Sequence, residues 1–461
     1  MSTLDIVGGA QRIAWNLHNA YRERGHHSWL IVGRKLSHDP DVLQMQDDMY
    51  CSHWTESCLS AETLLLPAAR RIGVTRRFRR LVQSLGQLHR LRNIRRGYED
   101  FDFPGARHLL RLVPQRPDVV HCHNLHGNYF DLRTLPWLSR KVPVVLTLHD
   151  AWLLSGHCAH SFGCERWKTG CHGCPDLTIY PAISRDEAAH NWRVKQRLFE
   201  RCRLYVSAPS RWLMDKVTKS MLAPAIVESK VIPNGVDLTV FHPGDQGEAR
   251  RLLSIASDAS VMLFVGNGTR SSPWGDYATL EASVERLSKE LQGKRLLLIC
   301  VGEERMPERI GRSEVLFVGY QNTPRVIADY YRAADVHVHP SRVDTFPTTV
   351  LEALACGVPV VSTAVGGIPE QVIGLNTGDS ASRIARIDMQ GADGATGVLV
   401  PPGDPEMMAA AIGRLLSDEV LRGRLGKNAA RDARRRFDLQ RQVDEYLDWY
   451  KTIIESTEWS S

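Results

Sequence analysis

Short runs of β-branched and aliphatic residues alternate along the chain with longer stretches whose apolar positions recur every three or four residues. This is the pattern of parallel sheets crossed by helices. In the first half the runs predict strands at Trp29–Val32, Val119–His121, Val144–Leu148 and Tyr205–Ala208. Helical stretches fall between them, such as Ala10–Arg24, where Ile13, Leu17 and Ala20 share a face and Gly25 ends the helix. The pattern then restarts, with strands expected at Val261–Val265, Leu296–Val301, Val315–Val318, Val336–His339 and Val360–Ser362. A turn-rich junction, Val231-Ile-Pro-Asn-Gly-Val-Asp237, separates the two series. The expectation is a pair of doubly wound α/β domains, residues 1–230 and 231–439, facing each other across a cleft. The carboxyl ends of both sheets would line it, where ligands of such sheets bind. A doubly wound domain opens with a strand running into its Gly-rich turn, yet Gly8-Gly9 follows only seven residues. Met1–Val7 supplies a strand remnant at most, and omitting a central strand leaves its neighbours without ladder partners. A misplaced start codon or a shortened chain is therefore expected.

Composition narrows the class. With 461 residues, 43% hydrophobic and 24% charged, the chain is long enough for two or three cores and is not collagen-like, disordered or a small disulfide scaffold. It contains no run of 18 apolar residues, and its start lacks the basic and apolar regions of a signal peptide, so a cytoplasmic protein is expected. The ten cysteines should then be thiols or metal ligands rather than disulfides.

The net charge of +6 is unevenly spread. Between Thr63 and Tyr98 lie ten arginines and no acidic residue, which leaves the rest of the chain at −4. Phe78, Leu81, Val82, Leu85, Leu88 and Leu91 recur there at helical spacing. An Arg-rich helix with an apolar stripe reads as a surface for anionic lipid, here Arg70–Arg96. The alternative is a solvated helix packing its stripe on the core. Nucleic acid finds no support, since no aromatics interleave the basic residues.

Residues 340–370 carry the most chemistry. Asp344 and Glu352 lie eight apart, the first in a loop after the strand ending near His339, the second on a short helix, Thr348–Cys356, which Gly357 terminates. The helix N-terminus, with Thr348, Thr349 and free backbone N–H groups, suits a pyrophosphate. A carboxylate one turn further in can accept two hydrogen bonds from a ribose diol. Asp344 would reach the part beyond the phosphates, which makes this a nucleotide-sugar site.

The stretch resembles the donor-site motif of the family 4 glycosyltransferases of GT-B fold: Glu-x7-Glu, then Gly-x-Pro-Val-Val and Gly-Gly-x-Pro-Glu. The resemblance extends through Gly8-Gly9-Ala10, Thr147-Leu-His-Asp150, Ser210-Arg-Trp-Leu213, Ile232-Pro-Asn-Gly-Val-Asp237 and Thr396-Gly-Val-Leu-Val-Pro-Pro-Gly-Asp404, nearly the whole chain. It implies an N-terminal acceptor-side domain and a C-terminal donor domain. The final helix, around Glu445–Ile454 within 440–461, would pack back on the first. It implies a retaining, metal-independent transfer of a sugar from a nucleoside diphosphate to a hydroxyl acceptor, lipid-linked or glycan, in surface polysaccharide or glycolipid biosynthesis. Carried over residue by residue, Glu352 holds the ribose hydroxyls, Asp344 touches the donor sugar, Gly8 and Gly9 admit the phosphates and sugar, and His149 meets the sugar near the reacting centre. No cofactor is implied. The basic segment would bring the protein to the inner leaflet.

Several departures matter. Asp replaces the usual first Glu of the pair. The family's Arg…Lys pair after the first C-domain strand is absent: the loop reads Val265-Gly-Asn-Gly-Thr-Arg-Ser-Ser-Pro-Trp-Gly-Asp-Tyr277, leaving Arg270 as the candidate grip on the diphosphate. Residues 374–394 read as an insertion without a functional account. These losses keep open a degenerate, binding-only transferase, and the fold alone would also suit a nucleotide-sugar epimerase. Finally, Cys158-x5-Cys164-x6-Cys171-x2-Cys174 has the makings of a tetrahedral structural zinc site folding the loop after His149. Reduced loop cysteines, or two disulfides in an exported protein, are the alternatives.

Overall fold

A computed structural model describes residues 1–45, 88–266, 268, 270, 272–291, 293–375 and 393–456. They form two compact units. The first comprises Met1–Ala208, Leu213–Val231 and the chain from Leu447 on; the second comprises Pro209–Trp212 and Ile232–Tyr446.

The first unit holds strands β1 (Ser2–Leu4), β2 (Leu30–Arg34), β3 (Val42–Gln44), β4 (Val120–His123), β5 (Val144–Thr147), β6 (Leu204–Ala208) and β7 (Ile226–Val231). They pair in parallel as β1-β2-β3 and β4-β5-β6-β7. Two backbone bonds join the ladders: the Met1 amino group donates to His121 O at 2.6 Å, and His123 N–H donates to Met1 O at 2.9 Å. Strand order thus reverses between β1 and β4, which makes their carboxyl ends the switch point of the sheet. Every residue of β5 is buried, as a parallel strand covered on both faces requires. The helix Gly9–Glu23 turns Ile13, Leu17 and Tyr21 into this unit. The helix Leu439–Ser456 contributes Trp449, edge-on to the ring of Tyr205 at 6.2 Å, and Tyr450, whose hydroxyl meets His121 Nδ1 at 2.6 Å.

The second unit carries β8 (Ser260–Val265), β9 (Leu296–Val301), β10 (Glu308–Ile310), β11 (Ser313–Val318), β12 (Val336–His339), β13 (Val360–Thr363) and β14 (Gly397–Val400). Their order is β10-β11-β9-β8-β12-β13-β14, parallel except for the β10–β11 hairpin. Both faces are covered. Val284, Leu287, Met408 and Ile412 belong to one core, and Ile327, Tyr331, Val350 and Leu354 to the other. Here the order reverses between β8 and β12.

Strands expected from apolar runs recur within one or two residues of their predicted ends, and Met1–Val7 contains the short strand β1. Of the basic segment, residues 46–87 lie outside the described residues. Its end is the helix Leu88–Arg96, where Arg90 pairs with Asp100 and sits 4.5 Å over the ring of Phe103. Of the expected insertion, residues 376–392 lie outside the described residues.

Candidate active site

At the second unit's switch point, the loop after β8 is laced to the loop after β12. Asp276 N–H donates to Pro340 O at 3.1 Å, and Arg342 N–H donates to Trp274 O at 2.8 Å. From the other side, Ser341 N–H donates to Thr363 Oγ1 at 3.0 Å. Gly367 N–H holds Asp344 O at 3.1 Å. A Cβ on Gly366 would overlap Asp344 O, and one on Gly367 would overlap Thr345 O, so this Gly-Gly pair is the seat on which the Asp344 loop rests.

The helix Thr348–Ala355 then begins behind Pro347 with no side-chain cap, and Gly357, at φ 74°, follows its end. Its first amides are the donors that an anion satisfies. Glu352, 7% exposed, accepts from Tyr331 Oη at 3.1 Å; the same hydroxyl lies 3.0 Å from Thr349 O. Burial and the adjacent Glu352 carboxylate push the Tyr331 hydroxyl well above its ordinary pKa. Asp344 is partly exposed, 3.5 Å from His339 Nε2, which in turn lies 3.0 Å from Ser341 Oγ. Three buried polar atoms, Thr345 Oγ1, Thr349 Oγ1 and His339 Nδ1, have no hydrogen-bond partner among the described residues. Orphaned polar atoms of this kind are costly unless a ligand or water completes them. Asp344, Thr348, Thr349 and Glu352 thus come together as the spacing predicts.

Arg270 is placed differently. Its guanidinium pairs with Glu308 and with Glu281 at 3.3 Å and lies 4.7 Å over the ring of Tyr277, while the Arg270 backbone N–H donates to Glu303 Oε2 at 3.2 Å. The basic group that the laced loops do present is Arg342, whose side chain is 58% exposed, 3.8 Å from Asp276. Sequence reasoning passed over it because it falls inside the acidic motif rather than in the expected loop.

In the first unit, Gly8 at φ 101° precedes the helix Gly9–Glu23, which also lacks a side-chain cap. His149, beyond β5, meets His123 of β4 through Nε2 and Nδ1 at 2.9 Å, the rings stacked at 5.2 Å. Burial lowers His149 to about 4 and His123 well below its ordinary value, so both rings are neutral and share one proton in that contact. Beside them His126 Nε2 lies 2.6 Å from Asp150 Oδ2. Burial opposes both charges, but the ion pair prevails: His126 is raised and Asp150 is held at about 2. Asp150 also caps Trp152 N–H at 2.9 Å. The histidine-rich run His121-Cys-His-Asn-Leu-His126 at a strand end was the available signal for this pairing.

The cysteine loop follows His149. Cys158, Cys164, Cys171 and Cys174 are free thiols, and among the described residues no three His, Cys, Asp or Glu side chains are arranged to hold a metal ion. Cys171 Sγ accepts from Gly156 N–H at 3.2 Å, and Cys174 Sγ lies 3.3 Å from His157 Nε2. The loop is anchored by Lys195, fully buried, which pairs with Glu99 at 2.8 Å and donates to Trp152 O and Ser155 O.

Residues 7–240 match the family described as Glycosyltransferase Family 4, and residues 259–418 match Glycosyl transferases group 1. WcaC of Escherichia coli (strain K12), whose name assigns it to colanic acid biosynthesis, is 26% identical over 357 residues, 73% of this chain and 77% of that one. A D-inositol 3-phosphate glycosyltransferase of Catenulispora acidiphila is 34% identical over 349 residues, 72% of this chain and 71% of that one. Namesakes from Acidothermus cellulolyticus and Geodermatophilus obscurus match over 48% and 47% of their own length. Among solved structures, Anabaena Alr3699/HepE in complex with UDP and glucose superimposes with TM-score 0.58 at 18% identity, covering 99% of each chain. Sucrose-phosphate synthase of Thermosynechococcus elongatus does so with TM-score 0.59 at 20% identity, covering 99% of this chain and 96% of that one. With its ordered motifs, its switch-point loops and these matches, the chain belongs to glycosyltransferase family 4 and has the GT-B fold.

Proposed function

We propose that this glycosyltransferase moves a sugar from a nucleoside diphosphate, most simply UDP, to a hydroxyl of a growing surface polysaccharide or glycolipid, with retention at the anomeric carbon. One observation carries the reading: an uncapped helix N-terminus beside Asp344 and Glu352, at the switch point between β8 and β12, with buried hydroxyls of Thr345 and Thr349 unpaired among the described residues. In this reading the diphosphate lies on the first amides of Thr348–Ala355 with Thr348 and Thr349, and Glu352 accepts the ribose hydroxyls. Asp344 accepts from the donor sugar. The resemblance assigns Gly8 and Gly9 to the phosphates and His149 to the sugar hydroxyls. The UDP and glucose bound by HepE and the colanic acid role in the name of WcaC support the donor and product classes.

Chemically, the bond from the anomeric carbon to the diphosphate oxygen breaks and a bond to the acceptor oxygen forms on the same face. The acceptor proton passes to the departing diphosphate. Amide dipoles at the helix terminus stabilise the charge gathering there. No resident cofactor is needed for this balance.

Thermal shift with UDP, GDP, ADP and dTDP tests the reading. A ligand at a hundred times its Kd adds about 2.7 kcal/mol, a rise of a few degrees. One base should shift the protein, and Glu352→Ala should abolish the shift; no shift with any nucleotide would overturn the reading. The commitment of Arg270 to Glu281 and Glu308 favours a second reading, a protein that binds donor without turning it over. Release of nucleoside diphosphate from the matching sugar nucleotide decides between them.

A further inference from the structure

Along β4, a series of side-chain contacts ends on His149. Both nitrogens of the His121 ring are engaged, Nδ1 2.6 Å from Tyr450 Oη and Nε2 2.6 Å from Thr147 Oγ1. The ring of His123 packs on it with 4.0 Å between centroids, and its Nδ1 is the atom that meets His149 Nε2 at 2.9 Å. His123 is 3% exposed, whereas His149, just past the end of β5, is half-buried. We propose that His123 is a positioning residue, which through its Nδ1 fixes the ring orientation and the tautomer of His149. The proposal rests on the reading of His149 as the group that meets the donor sugar, and adds what holds that group ready.

A single proton carries the argument. A neutral imidazole has one donor and one acceptor nitrogen. Both rings are neutral, so the nitrogen that donates across the 2.9 Å contact decides the tautomer of both at once. A half-turn of the His149 ring would set carbon against His123 Nδ1 and leave that buried nitrogen unpaired, which opposes the flip. His149 Nδ1 is thereby turned away from His123 with one hydrogen-bonding sense. Among the described residues it has no partner of its own, which leaves it for a ligand. The surroundings of His123 give a second observation. It pairs in register with Thr147, and its neighbours Cys122 and Leu146 are fully buried, a setting in which a polar ring is costly unless hydrogen-bonded. A residue needed only for packing would be aliphatic there. The bonds of His121 to Tyr450 and Thr147 in turn hold still the ring on which His123 stacks.

Isotope labelling of the histidine ring nitrogens, read by NMR on the full chain at about pH 7, tests this where neutral rings dominate. The shifts should show one tautomer for His149 in the wild-type chain and a mixture of both in His123→Ala. In His123→Asn, whose amide takes the place of Nδ1 and can donate or accept, the single tautomer should return. Turnover is read as nucleoside diphosphate released from UDP-glucose, or from the sugar nucleotide of whichever base shifts Tm. His123→Ala should lower kcat about tenfold or more with KM for the donor unchanged, and His123→Asn should recover most of it. The double variant His123→Ala, His149→Ala should be no slower than His149→Ala alone. A mixture of tautomers in the wild-type chain, one tautomer kept in His123→Ala, or additive losses in the double variant would overturn the proposal. A wild-type chain that turns over no donor fails the donor reading instead, and the ring nitrogens of His149 still decide the role of His123.

Discussion

Thr349 and Arg342 are the residues at which the proposed donor site can be questioned one side chain at a time. Thr349 Oγ1 is buried without a partner among the described residues, so Thr349→Val should leave the urea midpoint unchanged or raise it slightly. The same change should weaken nucleoside diphosphate binding severalfold, read by calorimetry. Arg342→Ala should raise the Kd for the diphosphate about tenfold, the cost of one charge-assisted contact, at unaltered Tm. An unchanged Kd would remove Arg342 from the site. Lys195 behaves oppositely, as a structural charge. Lys195→Met leaves Glu99 buried and unpaired and should cost about 3–5 kcal/mol in chemical denaturation. Asp344 and Glu352 could be singled out because one short motif carries both, whereas the Tyr331 hydroxyl that meets Glu352 comes from another helix. The pairing of His126 with Asp150 was not legible, because the two lie in the loops that follow adjacent strands, whose register no local pattern records.

At the scale of elements, the seat formed by Gly366 and Gly367 ties the loop after β13 to the Asp344 loop after β12. Gly367 has an ordinary φ, −88°, so its need is for space alone. Gly367→Ala should force the two backbones apart at about 1–3 kcal/mol, an overpacking cost, and should also abolish the nucleotide-induced thermal shift. Loss of stability with the shift intact would show that the seat does not position the site. The central strands were legible from their apolar runs because they are covered on both faces, as the fully buried β5, β9 and β12 show. Strands β3, β7, β10 and β14 went unseen; β3 and β10 have only three residues, too few to carry a pattern. Spacing along a chain does not say where thiols turn: Cys174 faces His157, and Cys171 caps Gly156.

For the whole molecule, the buried histidines set the response to acid. Burial lowers His18 and His149 to about 4 and His337 to about 3, whereas in the unfolded chain each titrates near 6.5. The unfolded state therefore takes up more protons as pH falls below about 6.5, and stability drops progressively toward pH 4. His126 acts in the other sense: its raised pKa gives stability that is full below about 6.5 and lost as pH rises through the folded value. His121, His123 and His157 are lowered as well, so with six against one the urea midpoint at pH 5 should lie below that at pH 7; a flat profile between them would contradict the neutral burial of these rings. Sequence periodicity was enough for two α/β units, their strand positions and the donor motif, because those depend on interactions a few residues apart. Which strands meet at each switch point, the turn of Arg270 toward Glu281 and Glu308, and the His126–Asp150 pair all depend on contacts between residues far apart in the chain. Those follow from packing and register, which take shape only when the sheets close.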